Sequence, residues 1–306
     1  MNIGRCLNMI TKAKHIYNFI NLLFYVDTYG IAYKKKDNNI YTTIFPTNRY
    51  SYADPFVYQL GDKTAIFVEL MDYYYGWGTI GVFEIVNNQV LGFKEIIREN
   101  YHMSFPNVFC HDGDLYMIPE TYNDNSVHLY KCIDFPYDWV RMPDLITGVH
   151  LVDHSLLEDD FTYVISYDID RKCTRCFFIN WDELKFEEFY PDGNYSNERP
   201  GGTFFTKDNK LFRVIQDCNN RYGEYLKIYE VDGLSRVSFN EHLFKTIMVN
   251  DLSFDKNLGF DRVHQYSVSE DFEMIDFTYN RFYWNKLFRY IFRFLFHPNR
   301  RNRYFS

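Results

Sequence analysis

The sequence predicts an all-β protein folded as one five-bladed β-propeller, with a short amphipathic helix at its C-terminal end. Three observations carry this expectation. A strand–turn–strand unit can be laid over itself five times along the 306 residues, and strand-built repeats of about forty to fifty residues are the signature of propeller blades. Aromatic residues make up 20% of the chain, 30 Phe, 28 Tyr and 4 Trp, and such side chains favour pleated, half-buried positions. The i, i+3, i+4 spacing required by a helical solenoid is missing from the repeat. With 46% hydrophobic and 24% charged residues the chain is globular, and all-β folds often reach this length as one unit.

From the N-terminus, residues 1–27 read as an extension. Lys12, Lys14 and His15 precede the apolar run Ile16–Val26, which superficially resembles a secretion signal. Asn18 and Asn21 interrupt that run, no small-x-small cleavage site follows, and the segment is too short to span a bilayer. A short amphipathic helix, or the approach to the first strand, is the expectation.

Residues 28–281 hold the repeat. The five segments are Ala53–Glu69, Phe105–Glu120, Val152–Ser166, Pro200–Asp217 and Val263–Phe277. Each opens on a polar or small residue and turns through Gly61-Asp62, Asp112-Gly113, Glu158-Asp159-Asp160, Asp208-Asn209 or Glu270-Asp271 before a second apolar strand. That pattern is a β-hairpin. Further strand-like runs, such as Thr79–Ile85, Val127–Cys132 and Tyr225–Val231, lie between the hairpins. A β-sandwich would not account for five equivalent hairpins.

In a propeller the innermost strand of every blade lines a central channel, so residues opening those strands converge although they are distant in sequence. The opening positions are Asp54, Pro106, Asp153, Gly201 and His264. Glu69, Glu120 and Asp217 end second strands near the same rim, and Glu198 and Arg199 precede the fourth unit. Paired carboxylates around a pocket are what glycosidic chemistry needs: one moves a proton at an oxygen, and another stabilises or attacks the anomeric carbon. Asp54 and Asp153 are therefore the candidate catalytic groups, with Glu69, Glu120, Arg199, Asp217 and His264 as candidate substrate ligands. Alternatively, an Asp before a strand caps its own turn. Arg199 stands in Glu198-Arg-Pro-Gly-Gly202, where a guanidinium fork can grip carboxylate or phosphate and the glycines allow close approach, or where a salt bridge and a tight turn would serve structure alone.

Composition argues against other classes. Net charge is −8, without the basic stripe of a duplex-binding protein, so no nucleic-acid partner is expected. P-loop, dinucleotide, G-x-S-x-G and H-E-x-x-H motifs are absent from the sequence, and no cofactor or metal is identified. Cys173-Thr-Arg-Cys176 has no second pair to complete a zinc site and is expected to sit in a β-turn. The six cysteines lack disulfide-like spacing, which suits a reducing cytoplasm.

Tyr52-Ala-Asp-Pro-Phe56, Phe105-Pro-Asn-Val-Phe109, Met117-Ile-Pro-Glu-Thr121, Val152-Asp153, Arg199-Pro-Gly-Gly202 and Gln216-Asp-Cys218 through Arg221-Tyr-Gly223 occur in that order. Together they resemble the N-terminal domain family of glucosamine inositolphosphorylceramide transferase, over about residues 28 to 280. The resemblance implies a propeller akin to the five-bladed arabinanases, xylosidases and invertases. In those, an Asp opening blade one is base or nucleophile, an Asp of blade three tunes pKa, and a Glu of blade four is the acid. Asp54 and Asp153 match the first two, whereas Gly201 opens blade four; the resemblance makes Glu198, slightly before it, the candidate catalytic acid. A glycosyltransferase-like enzyme of surface-glycan or glycolipid assembly is the leading expectation. Its substrate is a sugar or glycan, with a nucleotide-sugar donor and a lipid-linked acceptor implied; a glycosidase or a non-catalytic glycan-binding propeller are the alternatives.

Residues 282–306 are aromatic and basic and read as a helix stopped near Pro298. The segment is too short and too charged to span a bilayer but suits an anionic membrane surface. A cytoplasmic protein at the inner face of the membrane is the resulting expectation.

Overall fold

The structure is a computed structural model that describes residues 24–284 and 286–296. Five sheets, antiparallel but for the pairing of Ile40–Ile44 with Ser253–Phe254, surround a central axis. Blade one comprises strands Tyr50–Leu60, Lys63–Asp72 and Gly78–Val86 with Lys94–Ile97 outermost; blade two comprises Ser104–His111, Asp114–Glu120, Tyr130–Asp134 and Asp138–Arg141. Blade three runs Leu151–Glu158, Thr162–Asp168, Cys173–Asn180 and Lys185–Phe189, and blade four Phe205–Lys207, Lys210–Gln216, Leu226–Leu234 and Phe239–Ile247.

Blade five is assembled from both ends of the described chain. Its inner strands Tyr266–Val268 and Phe272–Phe282 come late in sequence, and Tyr25–Lys35 pairs with the latter along its whole length, from Tyr25 opposite Phe282 to Lys35 opposite Phe272. Ile40–Ile44 and Ser253–Phe254 complete the sheet outward. Closing the ring this way leaves no unpaired edge at the seam.

Local chemistry explains the hairpins. Asp112-Gly113 and Asp208-Asn209 take positive φ at both central turn residues, the geometry that matches the right-handed twist of the flanking strands. The aromatic excess has a packing cause. Five clusters of buried side chains fill the five gaps between adjacent blades: Phe56, Phe67 and Met117 between blades one and two, for example, and Val214, Ile275 and Phe277 between four and five. Each blade is thus buried on both faces, so alternation gives way to apolar runs such as Ala65-Ile-Phe-Val68, none of it exposed. Ile66 faces blade five and Phe67 blade two. Each fully buried large side chain contributes about 1.5–3 kcal/mol.

Near the axis, polar side chains tie one blade to the next. Asn107 Nδ2 donates to the His154 carbonyl at 2.8 Å, Thr203 Oγ1 to Leu156 O at 2.6 Å and Ser267 Oγ to Pro55 O at 2.6 Å. These ties hold the inner strands in register around the channel.

The inner strands of blades one, two and three share a bulge. Their registers shift between Ala53 and Phe56, Ser104 and Asn107, and Val152 and Ser155. Within it Asp54, Phe105 and Asp153 have φ of 49°, 48° and 52°. Such bulges re-aim side chains. The blade-two equivalent of Asp54 is therefore Phe105, one residue before the Pro106 that sequence alignment selects.

Cys173 and Cys176 lie within the strand Cys173–Asn180 rather than in a turn. Three residues apart on a strand they point to opposite faces, which argues against a shared metal. Lys286–Phe296 is an α-helix, α1. Among the described residues no helix is long and apolar enough to cross a membrane.

Candidate functional site

The bulges gather most of the expected residues at one mouth of the channel. Asp54, buried, takes a hydrogen bond on Oδ2 from the Phe105 backbone N–H at 3.1 Å, the next blade's bulge. Its Oδ1 lies 3.2 Å from His264 Nε2, while His264 Nδ1 is 2.6 Å from Asp276 Oδ2. Asp276, fully buried, also accepts from the backbone N–H groups of His264 and Gln265 at 3.0 and 3.1 Å. Burial alone would lower the His264 pKa, but the flanking Asp276 and Asp54 carboxyls raise it well above the usual histidine value. The ring bridges the two acids.

Glu69 faces Ala53 across the first ladder, which puts it beside Asp54. Glu120 holds the same position in blade two, opposite Ser104. Burial first, then the nearby Asp54 and Glu120, push the Glu69 pKa well above the usual carboxyl range. His102 flanks it: the Gly78 N–H donates to His102 Nδ1 at 2.9 Å, which leaves the ring proton on Nε2, 3.5 Å from Glu69 Oε1.

Asp153 is bound by Arg199, Nε to Oδ2 at 2.6 Å, and by Gln216 Nε2 at 3.2 Å. Burial raises its pKa and the guanidinium works against that rise. The same guanidinium lies 4.0 Å from Glu120 and 5.0 Å from the centre of the Tyr222 ring. Tyr222 and Tyr29 approach the His264 ring, with centroids at 5.4 and 5.0 Å. Tyr222 is 45% exposed, so part of the residue meets solvent at the mouth. Gly223, at φ +59°, brings that loop so close that a Cβ would overlap His264.

Asp54, Glu69, Glu120, Asp153, Arg199 and His264 thus converge. Glu198 and Asp217 do not join them directly: Lys227 Nζ binds both, at 2.7 and 2.6 Å, and Asn219 Nδ2 donates to both. Although burial works against it, Lys227 and Asn219 hold the Asp217 pKa below its usual value. Sequence reading missed Asp276, His102, Tyr29 and Gln216. Asp276 ends the second strand of the fifth unit much as Glu69 ends that of the first, a signal the alignment contained. Tyr29 gave none, because its strand joins blade five from the other end of the chain.

Asp54, His264 and Asp276 offer one ligand atom each within 4.8 Å of one another, a spacing that could hold a cation. The mouth thus gathers one carboxyl group held by donors, a second whose pKa is raised by burial, and an arginine stacked beside Tyr222.

A model of the family described as glucosamine inositolphosphorylceramide transferase 1, N-terminal, matches residues 38–270. Over 205 residues the chain is 28% identical to glucosamine inositolphosphorylceramide transferase 1 of Oryza sativa subsp. japonica and to that of Arabidopsis thaliana. The matches cover 62% of this chain but 27% and 26% of those proteins, so it spans about a quarter of their length. Among solved structures it is similar to a thermostable family-43 glycoside hydrolase, with a TM-score of 0.54 and 11% identity over 76% of this chain and 89% of that one. It is also similar to xylan β-1,4-xylosidase from Bacillus halodurans, at 0.53 and 14% over 74% and 47%. At these identities the structural likeness concerns the fold.

Proposed function

The chain belongs to the glucosamine inositolphosphorylceramide transferase 1 N-terminal family, and from that premise we propose that its channel mouth transfers a sugar to a lipid-linked acceptor in glycolipid or surface-glycan assembly. The observation that carries the reading is the pairing of Asp54, held by the Phe105 N–H and His264, with Glu69, whose pKa burial raises. Beside a second carboxyl group, an acid of raised proton affinity suits the role of proton donor.

In this reading Asp54 accepts the proton of an acceptor hydroxyl as that oxygen bonds to the anomeric carbon. The bond to the leaving group breaks with its electron pair staying on the departing oxygen, and Glu69 supplies a proton to that oxygen. Solvent then takes the proton from Asp54 and returns one to Glu69. Arg199 offers positive charge to a phosphate of donor or acceptor, and Asp153 orients Arg199. The ring of Tyr222 stacks on the sugar.

The relatives' name specifies glucosamine and inositolphosphorylceramide, and a hexosamine donor with a phosphoinositol-bearing acceptor is the first pair to assay. Asp54→Asn and Glu69→Gln should each cut transfer about 10²–10⁴-fold while the thermal transition stays cooperative. Undiminished transfer in either would overturn the assignment. A glycosidase reading would place the acid on blade four, where Glu198 is instead bound to Lys227. Hydrolysis of aryl glycosides that Asp54→Asn abolishes would favour that alternative.

A further inference from the structure

We infer that α1 and the residues leading into it form a docking surface for an anionic lipid bilayer. The helix sits on the propeller in an inverted orientation. Lys286 Nζ donates to the Tyr25 carbonyl at 2.7 Å, and the Phe292 ring packs on Tyr74 with centroids 5.7 Å apart. Arg289 is buried, its guanidinium 4.3 Å from the Tyr283 ring centre and 4.8 Å from that of Tyr73, and it donates to the Asn48 carbonyl. Polar groups thus fasten the helix down, while Trp284, Phe288, Ile291, Leu295 and Phe296 face outward at 46–76% exposure. Spacings of three and four residues from Phe288 through Ile291 to Leu295 put these three helical side chains on one stripe. An apolar stripe of this kind needs a partner.

Charge selects the partner. From Phe277 to Ser306 the sequence holds seven basic residues, Arg281, Lys286, Arg289, Arg293, Arg300, Arg301 and Arg303, and no acid. The whole chain carries −8, so the remainder carries −8 − 7 = −15. A positive, aromatic segment on a strongly negative body matches an anionic lipid surface, where Trp and Phe enter the headgroup region and Arg and Lys meet lipid charge. The Phe24 carbonyl accepts from the Tyr283 N–H at 2.6 Å and the Phe24 ring stacks on Phe282, which ties the segment leading into the helix to the first strand.

The position fits a membrane-borne acceptor. Asn48, Tyr73 and Tyr74 flank the Tyr50–Asp72 pair, which begins the blade-one ladder at its Asp54 end. The helix therefore rests on the same end of the propeller as the channel mouth. The surface itself does not depend on the proposed reaction, so vesicle binding tests it separately from transfer.

The full chain should float with phosphatidylcholine vesicles containing 30 mol% phosphatidylglycerol, and at least about tenfold less with phosphatidylcholine alone. Phe288→Ser/Ile291→Ser/Leu295→Ser alters exposed positions, so its melting temperature should stay near that of the wild type while flotation with the anionic vesicles drops at least about tenfold. Wild-type protein that fails to float, or a folded triple variant that floats equally, would overturn the inference. So would a wild-type dimer in solution that the triple variant converts to monomer without loss of flotation, because a second copy of the chain would then cover the stripe.

Discussion

Glu69 and Asp54 lie on paired strands of one blade, and the Asp54 carboxyl weighs on the ionisation of Glu69. Glu69's folded pKa is raised above an unfolded value of about 4.3, and the folded state holds the extra proton between the two. That contribution to stability is fully present below about pH 4.3 and is lost as pH rises through the folded pKa. Thermal melts across pH should show wild-type stability falling relative to Glu69→Gln as pH increases. Parallel curves would mean that Glu69 ionises as freely in the folded chain as in the unfolded one. Arg199 is a second test at this scale. Arg199→Ala leaves Asp153 buried without its cation and should destabilise by about 2–4 kcal/mol; a change below about 0.5 kcal/mol in chemical denaturation would remove Arg199 from the structural account.

Strands and loops position these groups through a few unforgiving contacts. Gly201 O accepts from the Tyr266 N–H at 2.8 Å, joining the inner strands of blades four and five, and a Cβ on Gly202 would overlap the Tyr266 carbonyl oxygen. Gly202→Ala must therefore push two inner strands apart, and should cost about 1–3 kcal/mol and weaken sugar binding through the displaced Arg199 loop. Arg213 and Glu241, both fully buried, pin that loop from below: Arg213 Nη2 donates to Ser196 O at 3.0 Å and the Ser196 N–H donates to Glu241 at 2.8 Å. Arg213→Met should cost about 3–5 kcal/mol, because Glu241 is then buried without a cation, and a melting temperature within a degree of wild type would contradict it. The hairpins and their turns were legible in the sequence, since Gly, Asp and Asn at positive φ announce themselves. The bulge was not: Phe105 adopts the φ of Asp54 and Asp153 through the blade's register, which no local residue preference would suggest, and that displaced the alignment by one residue.

At the scale of the molecule, the repeat brings groups two hundred residues apart into one site, as Asp54 and His264 show. What the repeat could not convey was the split of blade five. Tyr25–Lys35 has no hairpin partner nearby in sequence, so neither its place in the ring nor the arrival of Tyr29 at the mouth could be read before the ends were seen to pair. Removing residues 1–35 should leave Phe272–Phe282 as an open edge and expose the cores on both sides of Ile31 and Ala32. Loss of a cooperative melt is the expected result, and a truncated chain that melts like the parent would refute the closure.

A crystal structure of the full chain soaked with a nucleotide-activated hexosamine would show whether the channel mouth handles the sugar. The sugar ring should lie against Tyr222, with its anomeric carbon between Asp54 and Glu69 and a phosphate within reach of Arg199. Sugar density elsewhere, with the Asp54–Glu69 mouth empty at saturating ligand, would contradict it.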